Sequence, residues 1–173
     1  AGTPLLFAAM GEVIAERSGI LNLGVEGMML VGAVTGFMVT INTGNHWLGI
    51  LAAAGGGAIL SAIHAFICVT LKGNQVVSGL ALTIFGTGTS GFLGKNYVGL
   101  PVADRFTSID IPWLGDIPIL GPILFQHDAM VYLSMILALA LWYIMYRTSW
   151  GLSIRSVGEN PAAADAVGIS VSR

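Results

Sequence analysis

Charge is what this sequence has least of. Asp, Glu, Lys and Arg make up only 9% of its 173 residues, against 55% hydrophobic. An ordinary soluble domain carries about 25% charged residues to cover its surface. So few charges cannot coat a water-facing globule of this length, and most of the outside must face lipid. The same apolar excess excludes a disordered chain. A net charge of −2 argues against a nucleic-acid binder, which would carry a basic patch. Cysteine is nearly absent: Cys68 is alone, sits in an apolar run and reads as a small core residue that forms no internal disulfide. No charged n-region precedes a small-residue cleavage site, which predicts no signal peptide. The chain opens Ala1-Gly2-Thr3-Pro4 and closes at Arg173 in a polar stretch, so truncation at both ends is expected.

Glycine, by contrast, is abundant, at 24 residues. Inside apolar runs it suits membrane helices that pack backbone to backbone. A membrane-crossing helix needs roughly 20 apolar residues. Four segments have that length: 19–41, with Glu26 as its one charge, and 48–71, 76–94 and 129–146, with none. A fifth, 4–15, is shorter, carries Glu12 and reads as the remainder of a helix that began upstream. The expectation is an all-α integral membrane protein with about five transmembrane helices.

Lysine and arginine set the orientation. With the loop after Tyr146 in the cytoplasm, Arg17, Lys72, Arg147, Arg155 and Arg173 fall inside, while Lys95 and Arg105 fall outside. Trp47, Tyr97, Trp142, Tyr143 and Tyr146 stand at expected membrane boundaries, as an aromatic belt should. The outer loop 95–128 contains Pro101, Pro112, Pro118 and Pro122, so no helix can run through it. Its apolar piece 117–125 reads as a segment resting on or dipping into the outer interface. The sequence has no internal repeat.

Several local patterns admit two readings. Gly86-Thr87-Gly88-Thr89-Ser90-Gly91 matches G-x-G-x-x-G, but the acidic residue such a fingerprint needs would be Asp110, which lies in the proline-rich loop. Small residues for close helix packing explain the run better. Gly32 and Gly36 form a GxxxG pair, and Gly55-Gly56-Gly57 lies midway along its span; both read as packing faces, with a hinge as the alternative. Glu12, Glu16, Arg17 and Glu26 place carboxylates in or beside membrane segments, where they are costly. They form either an internal ion pair near the cytoplasmic end or, at Glu26 and Asn22, a border of the substrate path. Asn74, Gln75, Ser78 and Thr83 either satisfy helix-start amides, with Asn74 as cap, or face a polar cavity. His64 reads as a hydrogen-bonded interior residue rather than a metal ligand, and no metal site is expected.

The stretch 147–173 has a clear local grammar. Asn160 is a good N-cap, Pro161 suits the first helical position, Ala162 to Val167 favour helix, and Gly168 can end it in a left-handed turn. So short a helix, with Asp165 exposed, is marginal in water alone and must rest against something.

Two motifs carry a resemblance. Glu16-Arg-Ser-Gly-Ile-Leu-Asn-Leu-Gly-Val-Glu-Gly27 and Gly158-Glu-Asn-Pro-Ala-Ala-Ala-Asp-Ala-Val-Gly-Ile169 together resemble the permease family of ABC importers for simple sugars, nucleosides and branched-chain amino acids. Asn74-Gln-Val-Val-Ser-Gly-Leu-Ala-Leu82 is similar to a segment of its nucleoside-type branch. The resemblance covers nearly the whole chain and the front half to two-thirds of a usual member. It implies a transport subunit, not an enzyme, in the inner (cytoplasmic) membrane. Residues 161–167 would be the coupling helix, with Gly158, Glu159, Asn160, Pro161, Ala164, Asp165 and Gly168 as its coupling residues. They would seat in a separate ATP-binding cassette ATPase subunit. The chain has no G-x-x-x-x-G-K-[ST] loop, so it would bind no cofactor and ATP with magnesium would sit on that partner. A second permease subunit, alike or related, and an extracytoplasmic substrate-binding protein complete the implied assembly. Asn22, Glu26, Asn74, Ser78 and Thr83 are the candidate substrate-path residues. Spans rich in amides and hydroxyls suit a polar, uncharged substrate, nucleosides first and simple sugars next. A secondary transporter or channel would work without an ATPase, and a soluble nucleotide-binding enzyme would be cytosolic.

Overall fold

A computed structural model describes residues 2–101, 108–110, 126–169 and 171. The helices run in the order α1 (Thr3–Arg17), α2 (Val25–Thr43), α3 (His46–Ala65), α4 (Gln75–Gly94), α5 (Ala129–Arg147), α6 (Ser149–Glu159) and α7 (Pro161–Ala166). A π-helical turn, Phe66–Thr70, extends α3, and a 3-10 turn, Lys95–Tyr97, follows α4. Two short strands, β1 (Ser108–Asp110) and β2 (Gln126–Asp128), pair antiparallel with Ser108 opposite Asp128. The all-α expectation therefore holds apart from this ribbon, which lies in the loop between α4 and α5. The apolar piece 117–125 lies outside the described residues.

Among the described residues, four helical stretches are long and apolar enough to cross a membrane: Val25–Thr43, His46–Thr70, Gln75–Tyr97 and Ala129–Arg147. The fifth expected segment is α1, only 15 residues long. One boundary differs in an informative way. The span expected over 19–41 begins as a helix only at Val25. Gly19, at φ +87°, closes α1 in a left-handed turn, with Gly19 N–H donating to Glu16 O and Ile20 N–H to Ala15 O. Residues 21–23 then run on outside any helix, until Gly24 O accepts the first bond of α2 from Met28 N–H.

The chain divides into two compact units, Glu12–Asp104 and Ala1–Gly11 with Arg105–Arg173. In the first, α2 packs against α3 and α4 through glycines. A Cβ on Gly32 would stand 3.0 Å from Ala53 O, and one on Gly36 would stand 2.9 Å from Gly49 O. On the other side of α2, Gly27 and Gly86 meet backbone to backbone, leaving no room for a side chain on either. Gly86 thus opens the apparent dinucleotide fingerprint in mid-helix, and its role there is close packing. Met28, Val31, Leu60 and Leu82 fill the remaining space as a small core. Thr35 Oγ1 adds a bond to Ala52 O at 3.2 Å, a hydroxyl tie between α2 and α3 of the kind membrane bundles use.

In the second unit, Asp128 caps α5 by accepting from Met130 N–H and Val131 N–H. The helix stops at Arg147. Thr148 then caps α6 through Gly151 N–H. Gly151 lies directly on the carbonyls of Ile144 and Met145, which allows α6 to fold back against the end of α5. The sequence reading assigned one helix to this stretch; α6 is a second.

Candidate functional site

The non-helical segment between α1 and α2 is the most polar place in the first unit. A chain outside a helix at membrane depth has free N–H and C=O groups, and these must find partners within the protein. Here side chains from three helices supply them. Glu12 of α1 accepts the Asn22 N–H at 3.2 Å. Gln75, at the start of α4, accepts Leu21 N–H at 2.7 Å and reaches Gly19 O with its amide nitrogen at 3.4 Å. His64 of α3 bonds Leu21 O at 3.3 Å, and Thr83 Oγ1 donates to Leu23 O at 2.9 Å. Gly79 of α4 has no side chain to hold the segment away: a Cβ there would stand 2.8 Å from Leu23 N.

Each sequence-predicted residue has a definite place in this arrangement. Asn22 turns on its own backbone, its Oδ1 accepting Gly24 N–H at 3.0 Å while its Nδ2 faces Met28 Sδ at 3.5 Å. Asn74 caps α4 by accepting Val77 N–H at 3.1 Å. Ser78 is buried and 3.1 Å from His64 Nδ1. Thr83 is half-buried on the segment. Glu26 stands apart from these, exposed in the first turn of α2, where a carboxylate favours the helix N-terminus. Asn22 belongs to this segment, Thr83 bonds it directly and Ser78 is linked to it through His64, whereas Asn74 and Glu26 stand apart.

His64 is the hydrogen-bonded interior residue expected from sequence, whereas its partners and the contacts of Glu12 and Cys68 were not anticipated. Glu12 was paired with Glu16 and Arg17 on a helix face, yet its contact is a backbone amide ten residues on. Its second oxygen, Oε2, is buried with no hydrogen-bond partner. The role of His64 as a bridge between α4 and Leu21 had no sequence signal beyond its being a polar ring in an apolar run. Cys68 Sγ lies 3.6 Å from His64 Nε2, one helical turn on, a spacing overlooked in the sequence reading. Among the described residues no group of three His, Cys, Asp or Glu could hold a metal ion.

The second candidate is the α6–α7 pair. Asn160 leaves α6 in an extended conformation and accepts Ala163 N–H at 3.0 Å, with Pro161 in the first turn. Gly168, at φ +86°, ends α7: its N–H donates to Asp165 O at 2.9 Å and Ile169 N–H donates to Ala164 O at 3.0 Å. Ala164 is buried, while Asp165 and Val167 are exposed. Gly158 is half-buried in the last turn of α6, and Glu159 and Asn160 are exposed. The short helix expected from its caps is present, rests on α6 and presents its remaining faces outward.

Comparison with known proteins decides the family. Residues 1–173 match the profile of the branched-chain amino acid transport system / permease component family over the whole chain. The chain belongs to that permease family. Among its described residues this permease-family chain has four helices long and apolar enough to cross a membrane. It is 45% identical over 175 residues to a putative glucose ABC transporter permease of Haloferax volcanii, covering 99% of this chain and 53% of the relative. It is 42% identical over 182 residues to a guanosine ABC transporter permease of Bacillus subtilis, covering 97% and 56%. A nucleoside ABC transporter permease of Lactococcus lactis is 35% identical over 179 residues, covering 98% and 56%. The chain spans about half the length of the curated relatives it matches. No solved structure matches it.

Proposed function

We propose that this chain is part of the membrane-spanning permease subunit of an ATP-driven importer for nucleosides. The observation that carries the reading is α7, a doubly capped helix that follows the last apolar helix and turns most of its surface outward. On its own such a helix is marginal, so its caps at both ends suit a docking peg more than a connector. In this reading α7 and the residues around it, from Gly158 to Gly168, seat in a separate ATPase subunit that binds ATP and magnesium. Residues 147–173 are cytoplasmic in the inner membrane. The segments near 4–15, 19–41, 48–71, 76–94 and 129–146 cross or enter the bilayer. The loop 95–128 receives substrate from an extracytoplasmic binding protein, and a second permease subunit, alike or related, closes the pathway. Closure of the ATPase subunits pushes α7 and switches the packing of rigid helices, for which glycine-lined interfaces are suited.

The substrate path in this reading borders the stitched segment. Its groups are amides and hydroxyls (Asn22, Asn74, Ser78, Thr83) with few charges, of which Glu26 is one. That chemistry suits a polar, uncharged solute, and two of the relatives above are named for guanosine and nucleosides. A simple sugar is the second reading, favoured by the relative named for glucose, which shares 45% of aligned residues.

The deciding experiment uses the full-length permease with its ATPase and binding protein in lipid vesicles. ATP-dependent uptake of labelled nucleoside, competed by other nucleosides and not by glucose or ribose, is the expected result. Uptake of sugar alone would move the substrate to the second reading. Uptake of either without ATP would remove the importer reading altogether.

A further inference from the structure

The cytoplasm-side end of α5, as the arginines orient it, carries an arrangement that transport does not require. Trp142 and Tyr146 lie one helical turn apart on α5, and each ring has a guanidinium over it. Arg147 Cζ is 5.8 Å from the Trp142 ring centre, and Arg155 Cζ, reaching back from α6, is 5.0 Å from that of Tyr146. Stacking leaves the edges of a guanidinium, with their N–H groups, available for a further partner. Among the described residues, only Arg155 Nε has a protein acceptor, the Gly151 carbonyl at 3.4 Å, and no carboxylate pairs with either arginine.

The surroundings identify what the counter-charge is. Trp142 and Tyr143 are exposed on a helix apolar enough to cross a bilayer. The exposed apolar surface continues onto α6: Trp150 is 79% exposed and Leu152 60%. Thr148 breaks the helix between them, which lets α6 lie across the end of α5 rather than extend it. Arg147, the last residue of α5, stands where this exposed apolar face ends, the level at which lipid headgroups meet a membrane helix.

We propose that Arg147 and Arg155 form a binding site for the phosphodiester of an anionic phospholipid, with Trp142, Tyr146 and Trp150 lying against its glycerol and upper acyl region. Guanidinium forks match phosphate oxygens in pairs, and indole and phenol rings prefer the headgroup level. The site rests on α5 crossing the bilayer and is independent of which solute is carried.

Native mass spectrometry of the full-length permease, incubated with equal phosphatidylglycerol and phosphatidylcholine, tests it. Wild type retains phosphatidylglycerol selectively, and the R147Q/R155Q double variant retains about thirtyfold less, as expected for two cations each contributing about 1 kcal/mol at an anionic surface. Lys72→Gln, which removes a cation on the same side elsewhere, leaves retention unchanged. Equal retention by wild type and double variant, or an equal fall with Lys72→Gln, overturns the proposal. A second measurement covers a double variant that fails to fold. In vesicles, brominated phosphatidylglycerol quenches the tryptophan fluorescence of the wild type more than brominated phosphatidylcholine, and the excess shrinks in Trp150→Phe. Equal quenching by the two lipids, or an excess that vanishes once the ATPase subunit is added, shows a face that lipid does not hold.

Discussion

His64 Nε2 donates to the carbonyl oxygen of Leu21 at 3.3 Å, tying α3 to the non-helical segment ahead of α2. A carbonyl can only accept, so a proton sits on Nε2, while Nδ1 lies 3.1 Å from the Ser78 hydroxyl. One imidazole ring thereby joins three pieces of chain. The ring is 3% exposed, so nothing from solvent replaces it when it is lost. His64→Ala should lower stability by about 0.5–2 kcal/mol, the range for losing a buried hydrogen-bond partner within a membrane bundle. Ser78→Ala should cost less, because it leaves only Nδ1 unpaired. Thermal unfolding of the purified full-length protein in detergent checks both, and a His64→Ala melting point equal to wild type would show that the bridge contributes nothing.

The contact between Gly27 and Gly86 supports a sharper contrast. Backbone meets backbone there, so Gly86→Leu must push α2 and α4 apart, at about 1–3 kcal/mol for an overpacked interface. Gly88 is two residues on, and a Cβ added to it meets nothing within 4 Å. Gly88→Ala should be neutral or slightly stabilising, since alanine favours helix. Parallel unfolding curves for the two variants would contradict the assignment of Gly86 to packing.

How much of this was readable beforehand depends on the range over which each residue acts. The helices α3, α4 and α5 are set by long apolar runs, and their ends fell close to the expected 48–71, 76–94 and 129–146. Asn74, Asn160 and Gly168 act within a few positions of themselves, so their caps followed from local sequence. The late start of α2 did not follow, because it rests on Glu12, His64, Gln75 and Thr83, which reach the segment 19–24 from other helices. The helix α6 was missed although its signals were present: Thr148 is a cap, and Trp150, Ile154 and Val157 recur at helical spacing. Eleven residues with serines and glycines simply offer a weaker pattern than a membrane span. Glu12 shows the limit most clearly, since its i,i+4 relation to Glu16 suggested a charge cluster and its contact proved to be a backbone amide.

That contact separates two substitutions at one position. Glu12 Oε1 holds the Asn22 N–H, and Oε2 is buried without a partner. Glu12→Gln keeps an acceptor for the amide and removes a charge from a poorly solvated place, so it should fold as well as wild type or better. Glu12→Ala leaves the N–H unpaired and should cost about 1–3 kcal/mol. The pair of melting points checks this. If Glu12→Gln were as damaging as Glu12→Ala, the negative charge itself would be the requirement and the amide bond incidental.

The caps of α7 offer the most direct test of the coupling reading. Asn160 satisfies an amide at the start of the helix, and Gly168 ends it at a φ that a branched side chain resists. Removing an N-cap costs about 0.5–2 kcal/mol, a large share of what a helix of 6 residues can have. Asn160→Ala and Gly168→Val should therefore disorder α7 while leaving α5 and membrane insertion unaffected. In vesicles with the ATPase and binding protein, both variants should lose ATP-dependent uptake. Asn160→Asp, which also caps helices well, should retain it. The conservative variant decides the cause: its failure alongside Asn160→Ala would point to a contact made by the amide itself, whereas normal uptake in Asn160→Ala and Gly168→Val would mean that α7 does not transmit the ATPase stroke.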